Sequence, residues 1–442
     1  MAQLFGTDGI RGVANTELTP ELAVGLGRAL VRTLREEGIA RPLVAVGRDP
    51  RPSGEMLEAA LVAGVTSAGG DIAPLGVLPT PGVAYLIGHV GADSGVMISA
   101  SHNPVEDNGI KVFGADGYKL SDAEEERVEE LMQRTDEDRP TGLHIGRLRP
   151  RPDALGAYVD HLAGSCGTDL GGMKVVVDCA NGAAAGVAPA VLRRLGCDVV
   201  AINTRLDGDH INDGCGSTHP EVVAAAVREH KAEVGLSHDG DADRLIAADA
   251  DGRLVDGDQI LAVLADRLHR ERGIDTVVTT VMTNLGFRQA MAARGIDVVE
   301  TKVGDRYVLE AMRSGGHLIG GEQSGHVILA EHATTGDGVL TAVQLLCAMR
   351  AAGKPLAELA GVMRRLPQVL VNVRGVDRSR LDGADELWAA VDKESLDLAD
   401  AGRILVRASG TEPLVRVMVE ADTEERAAEV AERLAGIVRA AL

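Results

Sequence analysis

Gly295-Ile296-Asp297-Val298-Val299 joins the end of a helix-like segment to a short β-branched run that carries an acidic residue. Helices commonly end at glycine because it accepts the left-handed conformation, so this stretch predicts a switch from helix to strand. The same pattern stands at Gly69-Gly70-Asp71-Ile72 and at Gly196-Cys197-Asp198-Val199. About one further strand downstream of each switch, an apolar segment runs into an unusual polar loop. These loops are Ser99-Ala100-Ser101-His102-Asn103, Ser237-His238-Asp239-Gly240-Asp241-Ala242-Asp243-Arg244 and Gly320-Gly321-Glu322-Gln323-Ser324-Gly325-His326. The pattern predicts three copies of one α/β unit, each with a special loop after a strand. Ligands of open α/β sheets gather at the carboxyl ends of strands, so the three loops are expected to converge on one cleft.

The plan changes after Pro367. Strands are expected at residues 369–373, 404–407 and 414–420, around a helix near 385–393. A helix from 423 to 442, opened by Thr423 and early acids, closes the chain. This is a smaller α+β domain and not a fourth copy. A chain of 442 residues is too long for one core and fits three or four domains. The expected divisions are 1–152, 153–255, 256–367 and 368–442. The first break falls where Arg149-Pro150-Arg151-Pro152 interrupts the periodicity.

Composition narrows the class. The chain is 45% hydrophobic and 25% charged, as an ordinary globular protein is, yet it has one Trp, four Tyr and three Phe. Its core must therefore be built from aliphatic side chains, which suits sheets covered by helices. A net charge of −21 argues against nucleic acid and anionic membranes as partners, so an anionic substrate needs a locally basic pocket. The five cysteines, Cys166, Cys179, Cys197, Cys215 and Cys347, include no C-x-x-C pair and read as free thiols in a reducing cytoplasm. No apolar run is long enough to span a bilayer, and the charged N-terminal stretch lacks a secretory signal.

In the first loop, the approach from Gly95 to Ile98 stops at small polar residues. Pro104 and Asn108-Gly109 are expected to exclude regular structure before Ile110. Ser101 thus sits on an irregular loop beside His102, with Lys111 nearby, and reads either as a nucleophile with polar and cationic neighbours or as part of a plain turn. The second loop places Asp239, Asp241 and Asp243 at alternate positions. Three carboxylates so close are costly unless a cation neutralises them, and oxygen-only ligands favour Mg²⁺. An EF-hand is excluded, because Arg244 and Ala250 replace its glycine and glutamate. No phosphate-binding GxxxxGK[ST] or GxGxxG motif points to a bound nucleotide.

Arg407-Ala408-Ser409-Gly410-Thr411-Glu412-Pro413, with Arg416, offers hydroxyls, exposed amides and guanidinium groups to a phosphate dianion, or forms a capped turn. Glu322, Ser324 and His326, between glycines, suit the hydroxyls or amine of a small polar substrate. Gly6-Thr7-Asp8-Gly9-Ile10-Arg11-Gly12 is a further glycine-dense loop that brackets an arginine.

Taken together and in this order, G-T-D-G-I-R-G (6–12), S-A-S-H-N-P (99–104), D-G-D-A-D-R (239–244), G-E-Q-S-G-H (321–326) and R-A-S-G-T-E-P (407–413) resemble the α-D-phosphohexomutase superfamily, and Gln323 its glucosamine branch. The resemblance runs from Phe5 into the C-terminal domain. It implies three similar α/β domains with mixed sheets and a smaller α+β domain, heart-shaped around a central cleft. The domains would carry, in order, the phosphoserine, the metal, the sugar and the distal phosphate.

It further implies a cytoplasmic isomerase, dimeric by family habit, that interconverts glucosamine 6-phosphate and glucosamine 1-phosphate for amino-sugar and cell-wall precursors. Ser101 would carry the phosphoryl group through a glucosamine 1,6-bisphosphate intermediate, and Mg²⁺ would be held by Asp239, Asp241, Asp243 and the phosphate on Ser101. By the same resemblance Arg11, Lys111 and His326 serve proton transfer or charge stabilisation. His102, Arg244, Gly304, Asp305, Glu322 and Ser324 lie beside the phosphate or the sugar, and Arg407, Ser409, Gly410, Thr411 and Arg416 clamp the phosphate that is not reacting. The alternatives are a glucose or mannose phosphate mutase, a Mg²⁺-dependent sugar-phosphate phosphatase, and a silent sugar-phosphate sensor. The resemblance assigns no role to His238, which replaces a commonly apolar residue.

Overall fold

A computed structural model describes residues 4–6, 8–134, 139–409 and 414–442. It places Met1–Val281 with Ile296–Gly361 in one compact unit, and Met282–Gly295 with Val362–Leu442 in a second.

The larger unit repeats one sheet plan three times. The first sheet comprises β1 (Ile10–Val13), β2 (Leu43–Arg48), β3 (Asp71–Val77), β4 (Ser94–Ile98) and β5 (Asp107–Gly114), in the order β1-β5-β4-β2-β3. The second comprises β6 (Lys174–Asp178), β7 (Asp198–Ile202), β8 (Val234–Ser237), β9 (Ile246–Asp249) and β10 (Leu254–Val255), in the order β10-β9-β8-β6-β7. The third comprises β11 (Thr276–Thr280), β12 (Asp297–Thr301), β13 (Ile319–Gly321) and β14 (Val327–Leu329), in the order β12-β11-β13-β14. In each sheet three parallel strands are followed by one antiparallel strand, so the sheets are mixed, as expected. The strand that follows each helix-to-glycine switch, β3, β7 or β12, lies at a sheet edge. Gly69, Gly196 and Gly295 all have positive φ, at 86°, 85° and 72°. Aliphatic residues fill the core of the first sheet, with Val44, Val46, Leu57, Leu61, Ile72 and Val96 fully buried between strands and helices.

Each special loop occupies the same topological place, the connection from the last parallel strand to the antiparallel strand beside it. That turn reverses the chain at a carboxyl edge, where side chains leave the sheet without a neighbouring strand to cover them.

One expectation is corrected. Regular structure does not wait for Ile110: β5 begins at Asp107, and Asn108 and Gly109 pair with Gly12 and Arg11 of β1. Gly109 is there for close approach and not for a turn, since a Cβ at this position would stand 2.5 Å from the Ser99 carbonyl oxygen.

The second unit holds β15 (Gln368–Arg374), β16 (Arg403–Ala408) and β17 (Leu414–Glu420) in the antiparallel order β15-β17-β16. The helices Asp385–Leu398 and Glu424–Ala441 cover it, the latter capped by Thr423, whose hydroxyl accepts the Arg426 amide. The crossover helix Leu285–Ala292 belongs to this unit although it follows β11 in sequence. Buried Glu420 holds it, accepting from Asn284 Nδ2 at 3.2 Å and the Leu285 amide at 2.9 Å, with Arg403 Nε at 3.2 Å.

Candidate active site

The three special loops of the larger unit meet. Ser101 is buried with φ +53°, and its Oγ donates to Asp239 Oδ2 at 2.6 Å. An alanine-like Cβ at Gly240 would lie 2.6 Å from the Ser101 carbonyl oxygen, so glycine between the first two aspartates lets the loops touch. The Ser101 amide donates to Ser99 Oγ at 2.9 Å, and Ser99 Oγ donates to Asp49 Oδ2 at 2.6 Å.

His102 Nδ1 stands 3.2 Å from Ser101 Oγ. Burial, then the Arg244 and Arg11 guanidiniums, push its pKa down to about 4, so it is neutral at pH 7. His238 is buried as well, with Nδ1 3.0 Å from the Arg244 carbonyl oxygen, and burial lowers its pKa to about 4.

Each aspartate of the triplet has one engaged oxygen. Asp239 Oδ2 takes the Ser101 hydroxyl. Asp241 Oδ2 accepts from Thr80 Oγ1 at 2.6 Å and from Lys111 Nζ at 3.1 Å, and Asp243 Oδ2 lies 3.5 Å from His326 Nδ1. In all three, Oδ1 is buried without a hydrogen-bond partner. One carboxylate oxygen from each falls within 4.8 Å of the others. Burial, then Asp243 and Asp241, raise the Asp239 pKa well above the ordinary carboxylate value. Three clustered carboxylates, each with one oxygen free of hydrogen bonds, although Arg244 Nε stands 3.8 Å from that of Asp243, fit a hard divalent cation, because the cluster resists full ionisation by itself.

Cations of the chain border this cluster. Lys111 is buried, with Nζ 3.1 Å from Asp241, 3.3 Å from Asp8 and 3.8 Å from Asp243. Burial works against its charge, but Asp241, Asp8 and Asp243 raise its pKa and keep it protonated. Lys119 bridges Asp8 at 2.5 Å and Asp305 at 2.6 Å, and Arg11 also pairs with Asp8. Burial opposes ionisation of Asp8, yet Lys111, Lys119 and Arg11 hold its pKa well below the ordinary value. His326 Nε2 accepts the Gly336 amide at 3.1 Å, which leaves the ring proton on Nδ1, facing Asp243. Burial disfavours the imidazolium, but Asp243, Asp305 and Glu322 outweigh it and raise the pKa of His326.

The third loop is a tight hairpin between β13 and β14, closed by the Glu322 amide on the His326 carbonyl at 2.9 Å and the Gly325 amide on that of Glu322 at 3.0 Å. It bridges to Arg244 through His326. Glu322 Oε1 accepts the amide of Gly304, whose φ is +132°, at 3.1 Å. Ser324 Oγ and Arg244 Nε are buried without a hydrogen-bond partner among the described residues.

In the second unit, Arg407 of β16 and Arg416 of β17 stand directly opposite each other. Burial and then Arg416 lower the Arg407 pKa. Two like charges face to face across a sheet are unfavourable unless an anion joins them. Ser409 is buried beside them; its amide donates to the Leu414 carbonyl at 2.9 Å, and its own carbonyl accepts from Arg378 Nη1 at 2.6 Å. Gly410 and Thr411 lie outside the described residues.

Sequence reading passed over Asp8, Asp49, Arg51, Thr80, Lys119 and Asn212, all of which touch the site. One usable signal was present: Gly47-Arg48-Asp49-Pro50-Arg51-Pro52 puts three charges and two prolines at the carboxyl end of a buried strand.

The four domains of the phosphoglucomutase/phosphomannomutase family match along the length of this chain: alpha/beta/alpha domain I at residues 2–139, domain II at 156–252, domain III at 256–366 and the C-terminal domain at 370–437. A phosphoglucosamine mutase of Saccharopolyspora erythraea is 57% identical over 445 residues, covering 100% of both chains. One from Frankia alni is 56% identical over 452 residues, covering 100% of this chain and 99% of the relative. The crystal structure of a phosphoglucomutase/phosphomannomutase family protein from Burkholderia thailandensis superposes with a TM-score of 0.85 at 26% identity, over 99% of this chain and 97% of that one.

Proposed function

Because the chain belongs to the phosphoglucosamine mutases, within the phosphohexomutase superfamily, we propose that it interconverts glucosamine 6-phosphate and glucosamine 1-phosphate by way of a phosphoserine at Ser101 and a glucosamine 1,6-bisphosphate. It is an isomerase that works by phosphoryl transfer, and no helix among the described residues is long and apolar enough to cross a membrane. The observation that carries the reading is the hydrogen bond from Ser101 Oγ to Asp239, 2.6 Å long, at the rim of three carboxylates with orphaned oxygens.

In the forward half-reaction the phosphoryl group leaves Ser101 for the 1-hydroxyl of glucosamine 6-phosphate. The proton lost by that hydroxyl ends on Ser101 Oγ, where Asp239 Oδ2 accepts it as a hydrogen bond. The second half-reaction returns the 6-phosphoryl group to Ser101, whose hydroxyl proton ends on the freed 6-oxygen, giving glucosamine 1-phosphate. Asp239, Asp241, Asp243 and the phosphate on Ser101 would hold Mg²⁺, which supplies charge neutralisation to the transferring group.

Lys111, held protonated, serves as a fixed positive charge and not as a base. Both ring nitrogens of His326 are engaged, Nε2 as acceptor of the Gly336 amide and Nδ1 facing Asp243, so it orients Asp243. Neutral His102 steadies the serine loop. Glu322, Ser324, Gly304, Asp305 and Arg244 are read as the sugar grip, and Ser324 Oγ and Arg244 Nε bring hydrogen-bonding capacity to it. Arg407, Ser409 and Arg416 are read as the phosphate grip. An Arg/Ser cradle recognises phosphate geometry and not the sugar, which lets one cradle serve both orientations of the intermediate.

The test is kcat/KM with Mg²⁺ for glucosamine 6-phosphate against glucose and mannose phosphates, with products identified. Preference for glucosamine 6-phosphate and formation of its 1-phosphate isomer are expected. Preference for mannose phosphate would reassign the sugar, and free phosphate without isomer would reassign the reaction to hydrolysis.

A further inference from the structure

Arg51 has no exposed surface, and all five of its N–H groups are taken. Nε donates to Asp49 Oδ2 at 2.9 Å. Nη2 donates to the carbonyls of Ser101 at 3.0 Å and Asn103 at 2.8 Å, and Nη1 to that of Asp107 at 3.1 Å and to that of Pro104. Four of the five acceptors are thus backbone oxygens of one loop, residues 101–107. A guanidinium offers five donors in a rigid fork, so this loop is built around the full capacity of one side chain.

The anchor under it is stiff. Pro50 and Pro52 flank Arg51, and Pro52 opens the helix Pro52–Ser67, which fixes the backbone from which the side chain departs. Asp49 accepts the Arg51 amide at 3.0 Å on Oδ1 and takes both Arg51 Nε and the Ser99 hydroxyl on Oδ2. Ser99 Oγ in turn receives the Ser101 amide. From the other side, Asn212 Nδ2 donates to the carbonyls of Ser101 at 2.9 Å and Asn103 at 3.2 Å. Ser101 is therefore held at both its N–H and its C=O, in a left-handed conformation that a serine does not favour on its own.

We propose that Arg51, with Asn212 as its partner, is a positioning residue that fixes Ser101 Oγ in line for phosphoryl transfer and keeps the phosphoserine from drifting to where water can take its phosphoryl group. The proposal rests on the phosphoserine reading above. Lysine at 51 keeps the charge but has three donors, so at least two of the five acceptors lose their bond to residue 51 and the loop gains freedom. The stray reaction is hydrolysis: the P–O bond to Ser101 breaks, a P–O bond to water forms, and a water proton ends on Ser101 Oγ.

The test uses the full-length, Mg²⁺-loaded protein with Arg51→Lys and Asn212→Ala, measuring kcat, KM, phosphate released per isomerisation and melting temperature. For Arg51→Lys, kcat is expected to fall on the order of 10²-fold, the cost of about 1 Å of misplacement. KM should hardly change, and phosphate release per turnover should rise several-fold. Asn212→Ala should shift the same two quantities in the same direction, by less. A merely structural Arg51 would lower the amount of active protein and leave phosphate release per turnover at the wild-type value, which would overturn the proposal. If Arg51→Lys does not fold, an Asn212→Ala protein with unchanged kcat and phosphate release overturns it. A wild-type protein that never carries phosphate on Ser101 would bring down the functional reading as well, whereas an active phosphorylated wild type with indifferent variants brings down the role of Arg51 alone.

Discussion

The two charged regions of this protein are built on opposite principles. Around the aspartate triplet nearly every charge already has a partner: Lys111 touches three carboxylates, and Lys119 lies between Asp8 and Asp305. Three carboxylate oxygens there still lack a hydrogen bond, and their carboxylates lie close enough together to hold one cation. In the β16–β17 ribbon, Arg407 instead faces Arg416, a like charge. The first region is preorganised for chemistry, because its groups cannot move without unpairing a buried charge. The second sets two guanidinium groups side by side, the arrangement that the proposed phosphate grip needs.

The sharpest way to break this contrast is to remove one carboxylate. Asp241→Asn should lower kcat on the order of 10³-fold, since the cation supplies several kcal/mol of charge stabilisation in the transition state. Chelation of the wild type should do the same, reversibly. An active, chelator-resistant protein would mean that the triplet is an ordinary acidic turn. Arg416→Ala should act differently, raising KM about 10- to 100-fold, the range expected for one lost charge-assisted hydrogen bond to phosphate, with a lesser effect on kcat. A fall in kcat at constant KM would instead assign the arginine pair to the reacting end.

Stability separates the two regions further. In chelated protein Asp239→Asn should raise the melting temperature by a few degrees, because it relieves repulsion within the triplet, and the same change should abolish the stabilisation that Mg²⁺ gives. A lowered melting temperature under chelation would show that the Asp239 hydrogen bond to Ser101 outweighs the repulsion.

The smallest effect concerns His238. Its pKa of about 4 lies below the unfolded value near 6.5, so the unfolded chain binds more protons between these limits. Its contribution is fully present above about pH 6.5 and is lost as pH falls toward 4. His238→Asn keeps a donor for the Arg244 carbonyl without titrating, and should make the melting temperature fall less steeply over that range, with the share due to His102 remaining. An unchanged acid limb would place the pH sensitivity elsewhere.

How much could be read in advance follows from how local each signal is. The helix-to-strand switches lie within five residues and depend on one glycine each, and a strand follows all three; that these strands are edge strands was not part of the reading. The triplet was legible because three carboxylates at alternate positions have few explanations. Asp49, Arg51, Thr80 and Lys119 were not, because their meaning comes from partners far along the chain; Thr80 meets Asp241 across 161 positions. Charged residues in a loop look solvated until a structure shows Arg51 buried to its last N–H. Asn108-Gly109 misled for a related reason: the pair that often marks a turn here lies inside a strand, where glycine makes room for the Ser99 carbonyl.

The central claim is that Ser101 carries the phosphoryl group. Intact-protein and peptide mass spectrometry, before and after incubation with glucosamine 6-phosphate isotopically labelled in its phosphate, tests it most directly. Phosphate confined to Ser101 and replaced by label at a rate compatible with turnover is the predicted result. Full isomerase activity from a protein that carries no phosphate on Ser101, or from Ser101→Ala, would contradict it.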